Sequence, residues 1–259
     1  MVAPTRSTAV AKAKLNLPAN VDAMFAQDVV DLRGRLAQQT GDRIRIDNKQ
    51  FKLPGGAVLD FLEVVIVDFV YANRYYEQTW EKGVVIPPVC FSTSPNPEGM
   101  VPSPVSPEVQ SKTDCKTCTM NQFGSAGKGK ACKNRVLMAI LPTDAKLDTP
   151  FLVLDISPTA VAGFTSYTHS VTRALGRPPY GVVTRIECDG KKKEDVAVFS
   201  DPVKLEDPEF IMMIRGRLEE ARTRLMVDPD TSSIAAANDA PPPSKLAGAR
   251  KPAARRAAG

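Results

Sequence analysis

The chain has 259 residues, 43% hydrophobic and 24% charged, with a formal net charge of +5, and that length supports a real core in one large domain or two small ones. The longest apolar stretch, residues 61–72, is interrupted by Glu63 and Asp68 and falls short of the roughly 18 residues of a membrane span, and residues 1–16 lack the apolar centre of a secretory signal. Five cysteines without such a signal point to metal ligands or free thiols rather than a disulfide scaffold, and a single histidine, His169, rules out a His-rich metal site.

Residues 1–20 are rich in Ala, Thr, Ser and Lys without an apolar period and read as a flexible arm. Met24, Phe25, Val29, Leu32 and Leu36 recur every three to four residues, which predicts an amphipathic helix over 21–39. Alternating segments 43–47 and 50–53 flank Asn48-Lys49 and predict a hairpin. Residues 59–76 are crowded with β-branched and aromatic side chains and predict one long, bent strand. A further strand is predicted over 84–92, pushed to an edge or a bend by Pro87 and Pro88.

Residues 93–114 carry five prolines and read as a loop. Strands are predicted over 134–141 and 151–156. Ser157-Pro158 has the form of an N-cap followed by proline at the first helical position, starting a helix over 158–175 that Gly176 stops. Segments 182–188 and 195–199 predict a hairpin around Asp189-Gly190, with Lys191, Lys192 and Lys193 in its turn. Asp207-Pro208 starts a helix over 208–226, with Phe210, Ile211, Met213, Ile214, Leu218, Ala221 and Leu225 on one face and Arg215, Arg217, Arg222 and Arg224 on the rest. That apolar face packs on the sheet, with a dimer contact as the alternative.

From Asp228 on, the composition is that of a disordered tail. Residues 240–259 hold Lys245, Arg250, Lys251, Arg255 and Arg256 and no acid, so they carry the whole +5 and residues 1–239 sum to zero. The expected organisation is an arm (1–20), one domain (21–227) and a basic tail (228–259). The expected fold class is α+β, mainly antiparallel β, an OB-fold-like barrel with an inserted Pro-rich and cysteine-rich segment (93–133) and flanking helices.

Cys115-x-x-Cys118 is a spacing that lets two thiolates meet one metal from a tight turn, and Cys90 and Cys132 supply two more. Four thiolates make a closed, structural zinc site that staples a segment poor in apolar residues. An iron–sulfur cluster and metal-free buried thiols are the alternatives that spacing leaves open. Cys188 reads as a small core residue. The run Gly124 to Ala131 departs from a nucleotide phosphate loop, because Ala131 stands where magnesium needs a hydroxyl and no strand precedes it. The same segment groups Lys116, Lys128, Lys130, Lys133 and Arg135 with one aromatic, Phe123, and glycines let backbone amides approach phosphate. A solvated knuckle without specific contacts is the other reading.

Tyr71, Arg74, Tyr75, Tyr76 and Trp80 interleave aromatics with a cation, as a single-strand binding groove does; closure of the core is the alternative for at least two of them. Ser166 and His169 lie within a helix and form no nucleophile elbow. Asp60, Glu63 and Asp68 lie on one strand segment, but Glu63 and Asp68 are predicted to point to opposite faces, which leaves no carboxylate constellation for a nuclease or nucleotide hydrolase.

The runs Pro87 to Phe91, Met100 to Pro104, Cys115 to Ser125 and Gly127 to Asn134 resemble a group of bacteriophage proteins that includes single-stranded DNA-binding proteins with a cysteine-rich insertion. The cysteine block is the specific part, within a likeness covering roughly residues 50–205. The resemblance implies sequence-independent binding of single-stranded DNA in phage replication or recombination, without catalysis, in the host cytoplasm. Phage replication proteins and a second copy of the chain are further candidate partners, and no membrane is expected. The basic tail departs from the acidic tails of many such binders and adds salt-sensitive attraction to phosphate. The rival expectation is a zinc-ribbon adaptor for a replication or transcription protein that touches DNA only through its tail.

Overall fold

The computed structural model describes residues 42–78 and 86–231, and the elements below belong to a compact unit that begins at Arg43. The predicted helix over 21–39, Trp80 and the basic tail lie outside the described residues.

The first hairpin forms as its sequence predicts. Strands β1 (Arg43–Asp47) and β2 (Gln50–Lys52) are joined by Asn48 and Lys49, both at positive φ, 54° and 65°. Two successive left-handed residues give the tight hairpin turn whose twist matches its strands. A short β3 (Val58–Leu59) follows, and then β4 (Phe61–Tyr75), the spine of the molecule. β4 runs antiparallel to β6 (Lys133–Pro142) from Val64 to Arg74. Its other edge is shared by two partners. Its start pairs with β8 (Val182–Cys188), and its end pairs with β5 (Cys90–Ser94).

β5 is the strand expected over 84–92, but it begins only at Cys90. Residues 86–89 are not strand, because Pro87 and Pro88 have no N–H to give a ladder. Beyond β6 the sheet continues to β7 (Leu152–Ile156), which pairs in parallel with β1; β9 (Ala197–Lys204) flanks β8. β9 reaches past the predicted end at 199. A register shift and a positive φ of 48° at Asp201 carry the chain through Pro202, which by itself reads as a strand end.

Among the described residues the result is one nine-stranded, mostly antiparallel sheet, curled into a half-barrel, with three helices. Helix α1 (Pro158–Leu175) ends at Gly176 with φ 64°, a left-handed cap that glycine adopts without steric cost. Ser157 takes the N-cap position, but its hydroxyl pairs with Thr159 at 2.9 Å rather than with the helix backbone. α1 covers the inner face of the curl with Ala160, Phe164, Tyr167 and Val171, against Ile66, Met138, Ile140, Leu154, Ile186 and Phe199. The Tyr167 and Thr184 hydroxyls share a buried 2.8 Å bond there.

The outer face of β4 and β6 is also buried. Val65, Val67, Leu137, Ala139 and Leu141 pack under Ile214, Ala221 and Leu225. The helix predicted over 208–226 is in fact two, α2 (Pro208–Gly216) and α3 (Leu218–Leu225), broken at Arg217. Arg217 was expected on the exposed side, but it is only 6% exposed. Its guanidinium lies 4.2 Å from the Phe151 ring centroid and donates to the Thr149 carbonyl at 2.8 Å and to Glu220. That inward anchor draws the chain out of helical register.

A bulge in β4 between Ile66 and Asp68 overturns a second expectation. An extra residue resets the alternation, so Asp68 joins Glu63 on the outer face. The two acids still do not converge: Glu63 pairs with Arg185 at 3.3 Å and Asp68 with Arg222 of α3 at 3.0 Å. The ends of the curl are tied by the two hairpin turns. The Lys49 amide donates to Asp195 at 3.0 Å, and its ammonium donates to the carbonyls of Lys192 and Glu194. Among the described residues no helix is long and apolar enough to cross a membrane.

Candidate nucleic-acid interface and cysteine module

The chain between β4 and β6 docks against the end of the sheet mainly through backbone hydrogen bonds. Ser103 N–H donates to the Phe91 carbonyl, Glu108 N–H to Val89 and Cys115 N–H to Met100, each at 2.8 Å. The Ser106 hydroxyl accepts from the Phe91 amide at 3.1 Å. Asp114 then builds the first turn of the knuckle: its carboxylate accepts the Thr117 amide at 2.6 Å and hydroxyl at 2.9 Å, which hold it below the usual carboxylate range. A 3-10 turn at Thr119–Asn121 follows Cys118; the Asn121 side chain donates to the Cys115 carbonyl at 2.7 Å, and Cys132 N–H donates to Met120 at 2.8 Å.

This folding brings Cys90, Cys115, Cys118 and Cys132 to one cavity, which Asn73, Tyr75, Phe91, Pro102, Gln110, Met120 and Asn121 complete. All five cysteines are free thiols, and Cys188 packs apart from the four, against the inner core. Burial pushes the Cys132 thiol up to about 12, and charge on Cys115, Cys118 or Cys90 adds to the rise. Burial raises Cys115 in the same way. Among the described residues no group of three or more His, Cys, Asp or Glu is set in metal-holding geometry. The four sulfurs therefore share a cavity without forming a finished coordination shell.

The glycine-lysine run closes on itself. Gly124 N–H and Ala126 N–H both donate to the Gly129 carbonyl, at 3.0 and 3.2 Å, Gly129 N–H donates to Ala126, and Ala131 N–H donates to the Ser125 hydroxyl. Several of the amides expected to cradle phosphate, those of Gly124, Ala126, Gly129 and Ala131, are thus committed inside the loop. Lys130 is tied to Asn121 and Asn134, at 3.4 and 3.1 Å, and Lys133 donates to the Lys130 carbonyl at 2.8 Å. Lys116 and Lys128 are exposed. Phe123 projects from the knuckle, 81% exposed, with the Lys130 ammonium 5.2 Å from its ring centroid.

The aromatic candidates of β4 separate. Tyr71 packs edge-on to Phe69 against the inner core, 6.0 Å between centroids. Tyr75 lines the cysteine cavity. Arg74 and Arg135 lie on the outer face, where register sets Arg74 opposite Lys133 and Phe91, Arg135 opposite Ala72, and Leu137 opposite Asp155. Arg135 donates to Asp155 at 2.6 Å, and Arg43 of β1 stands 3.8 Å from the same carboxylate. Burial works against the Arg135 charge, but Asp155 outweighs it and holds the guanidinium above its usual range. Burial raises the Tyr76 phenol, which feels the charges of Arg135, Arg74, Asp155 and Arg43.

Arg43 and Asp155 are absent from the sequence-derived set. They are apart from Arg74 and Arg135 in the chain; the antiparallel β6–β7 pairing brings in Asp155, and the parallel β1–β7 pairing brings in Arg43. Asn73, Gln110 and Asn121 were likewise unmarked, because single amides carry no spacing signal. No protein-family model matches the chain, and no curated protein or solved structure matches it.

Proposed function

We propose that the protein is a single-stranded DNA-binding protein of phage replication or recombination, built on an OB-like half-barrel with a zinc-stapled insertion, and that it binds without catalysis. The observation that carries the reading is the placement of the cysteine knuckle. With β5 set aside as part of the insertion, since it pairs only with β4, the described order from β4 is strand, strand, strand, helix, strand, strand, through β6, β7, α1, β8 and β9, with β4 paired to both β6 and β8. That is the order of an OB barrel, which binds oligonucleotides on its second and third strands and on the loops between strands one and two and between four and five. In this chain those loops hold the knuckle, with exposed Phe123, Lys116 and Lys128, and the turn with Lys191, Lys192 and Lys193. A stacking ring beside cations is what unspecific single-strand binding uses. Convergence of four cysteines on one cavity supports zinc as the staple, with ligation completing the coordination shell.

The test is fluorescence anisotropy of a labelled 30-mer, single-stranded and duplex, across a salt series, with the full chain and with a chain lacking residues 240–259. A single-strand preference that survives the deletion supports the reading. Loss of all binding with the tail, or equal binding of both DNAs, transfers the assignment to an adaptor tethered near DNA.

A further inference from the structure

Two outer-face residues carry a buried side-chain polar atom without a partner among the described residues, Thr93 and Arg74, and of these Arg74 is the charged one. It is 5% exposed, and its Nη1 is buried without a hydrogen-bond partner among the described residues. Its guanidinium lies 5.8 Å from the Phe91 ring centroid, and the strand register sets it directly opposite another cation, Lys133. A buried charge with an empty donor is costly. Two further arginines lie on the same face, Arg135 on the adjacent strand β6 and Arg43 on β1, beyond β7, with side chains 26% and 40% exposed. Asp155 pairs with both of them. The arrangement is graded: Arg135 and Arg43 are partly exposed, and Arg74 is closed, with one donor empty and Asp155 as a favourable charge.

We infer that Arg74, Arg135 and Arg43 form a phosphodiester seat on the outer face of β1, β7, β6 and β4, through which the backbone of a single strand is held in register. It rests on the DNA-binding reading above and adds to it a named site away from the knuckle. A phosphate has the oxygens to take the empty Arg74 donor while engaging Arg135, in the fork geometry that suits guanidinium. Asp155 occupies the seat's charge in the free protein and is displaced as the stronger anion enters.

The experiment compares the full chain with Arg74→Met, Arg135→Gln and Asp155→Asn, by anisotropy on a 30-mer single strand across a salt series, with a thermal melt of each variant. Arg74→Met keeps the apolar stem against Phe91 and removes only the charge. The seat predicts roughly tenfold weaker binding for each arginine variant and a salt slope shallower by about 0.7 for each lost phosphate contact. It also predicts an unchanged or raised Tm for Arg74→Met and tighter binding for Asp155→Asn. A merely structural arginine instead lowers Tm and leaves the slope alone. If the wild type binds single strands and both arginine variants match it in affinity and slope, the seat is wrong while the DNA-binding reading stands. If the wild type binds no single strand, that reading fails first. If inorganic phosphate raises the wild-type Tm and not that of Arg74→Met while DNA binding is unaffected, the site takes a free anion and the backbone assignment is overturned.

Discussion

The curled sheet and the knuckle inserted into it are held by different forces. Along β4 and β6 both faces are apolar and closed: Val65, Ile66, Val70, Met138, Ile140 and Leu141 expose almost nothing. Burial of that kind contributes about 1.5–3 kcal/mol per large side chain, and it is shared by two cores under three helices. Residues 95–132 have almost no such resource. Their buried side chains are Met100, Ser106, Cys115 and Cys132, and the rest is hydrogen bonding to the ends of β4, β5 and β6. A fold can therefore be robust in one part and dependent on a few polar and sulfur contacts in another. In this chain the dependent part displays the exposed aromatic and cations.

The largest effect expected is on the sheet. Ile140→Ala opens a void between β6 and α1 and lowers stability by about 2–5 kcal/mol, measured by urea unfolding; a smaller loss means that the inner core collapses around the gap. Next comes the knuckle. The purified protein is expected to carry one zinc per chain, and Cys132→Ser or chelation to release it. Limited proteolysis should then cut within 95–132 at least about tenfold faster, because local opening governs cleavage, while the far-ultraviolet circular dichroism of the sheet persists. Simultaneous melting of both would show that the two regions are one cooperative unit.

Removing the inward anchor of the outer core, Arg217→Ala, is expected to cost about 2–3 kcal/mol, since Thr149 and Glu220 lose a buried charged donor. A thermal melt reads it, and no change would mean that α2 and α3 break for another reason. Tyr167→Phe leaves the buried Thr184 hydroxyl without its partner and is expected to cost about 1 kcal/mol. Burial raises the Tyr167 phenol above its ordinary value of 10.0, with the Thr184 bond working against the rise. The phenol thus favours the folded state below pH 10, and this contribution fades as pH climbs through the window above it. Comparison of alkaline melts should show a wild-type loss that the phenylalanine variant lacks. The smallest stability effect falls on the knuckle's tip: Phe123→Ala should leave stability within about 0.5 kcal/mol, yet weaken single-strand binding by about 1–3 kcal/mol in anisotropy.

Much of this architecture was legible in local chemistry. The Asn48-Lys49 turn, the span of α1 with its proline start and glycine stop, and the β-branched spine of β4 follow from backbone preferences that act over a few residues. The Cys115-x-x-Cys118 spacing accounts for two thiols meeting at a tight turn; Cys90 and Cys132 reach the same cavity through the strands that pair with the end of β4. Long-range packing decided the rest. The bulge that turned Asp68 outward, the break at Arg217 and the inward packing of Tyr71 each depend on a partner distant in the chain: Arg222, Phe151 with Thr149, and the inner core. The arginine patch depends on it most. Arg43, Arg74, Arg135 and Asp155 have no sequence spacing in common, and three successive ladders, β4–β6, β6–β7 and β1–β7, gather their charges on one face. Periodicity and turn chemistry are properties of neighbours, so the sequence alone determined most of the elements; which charges share a surface depends on strand order and register, so only the tertiary structure decided that these arginines lie on one face.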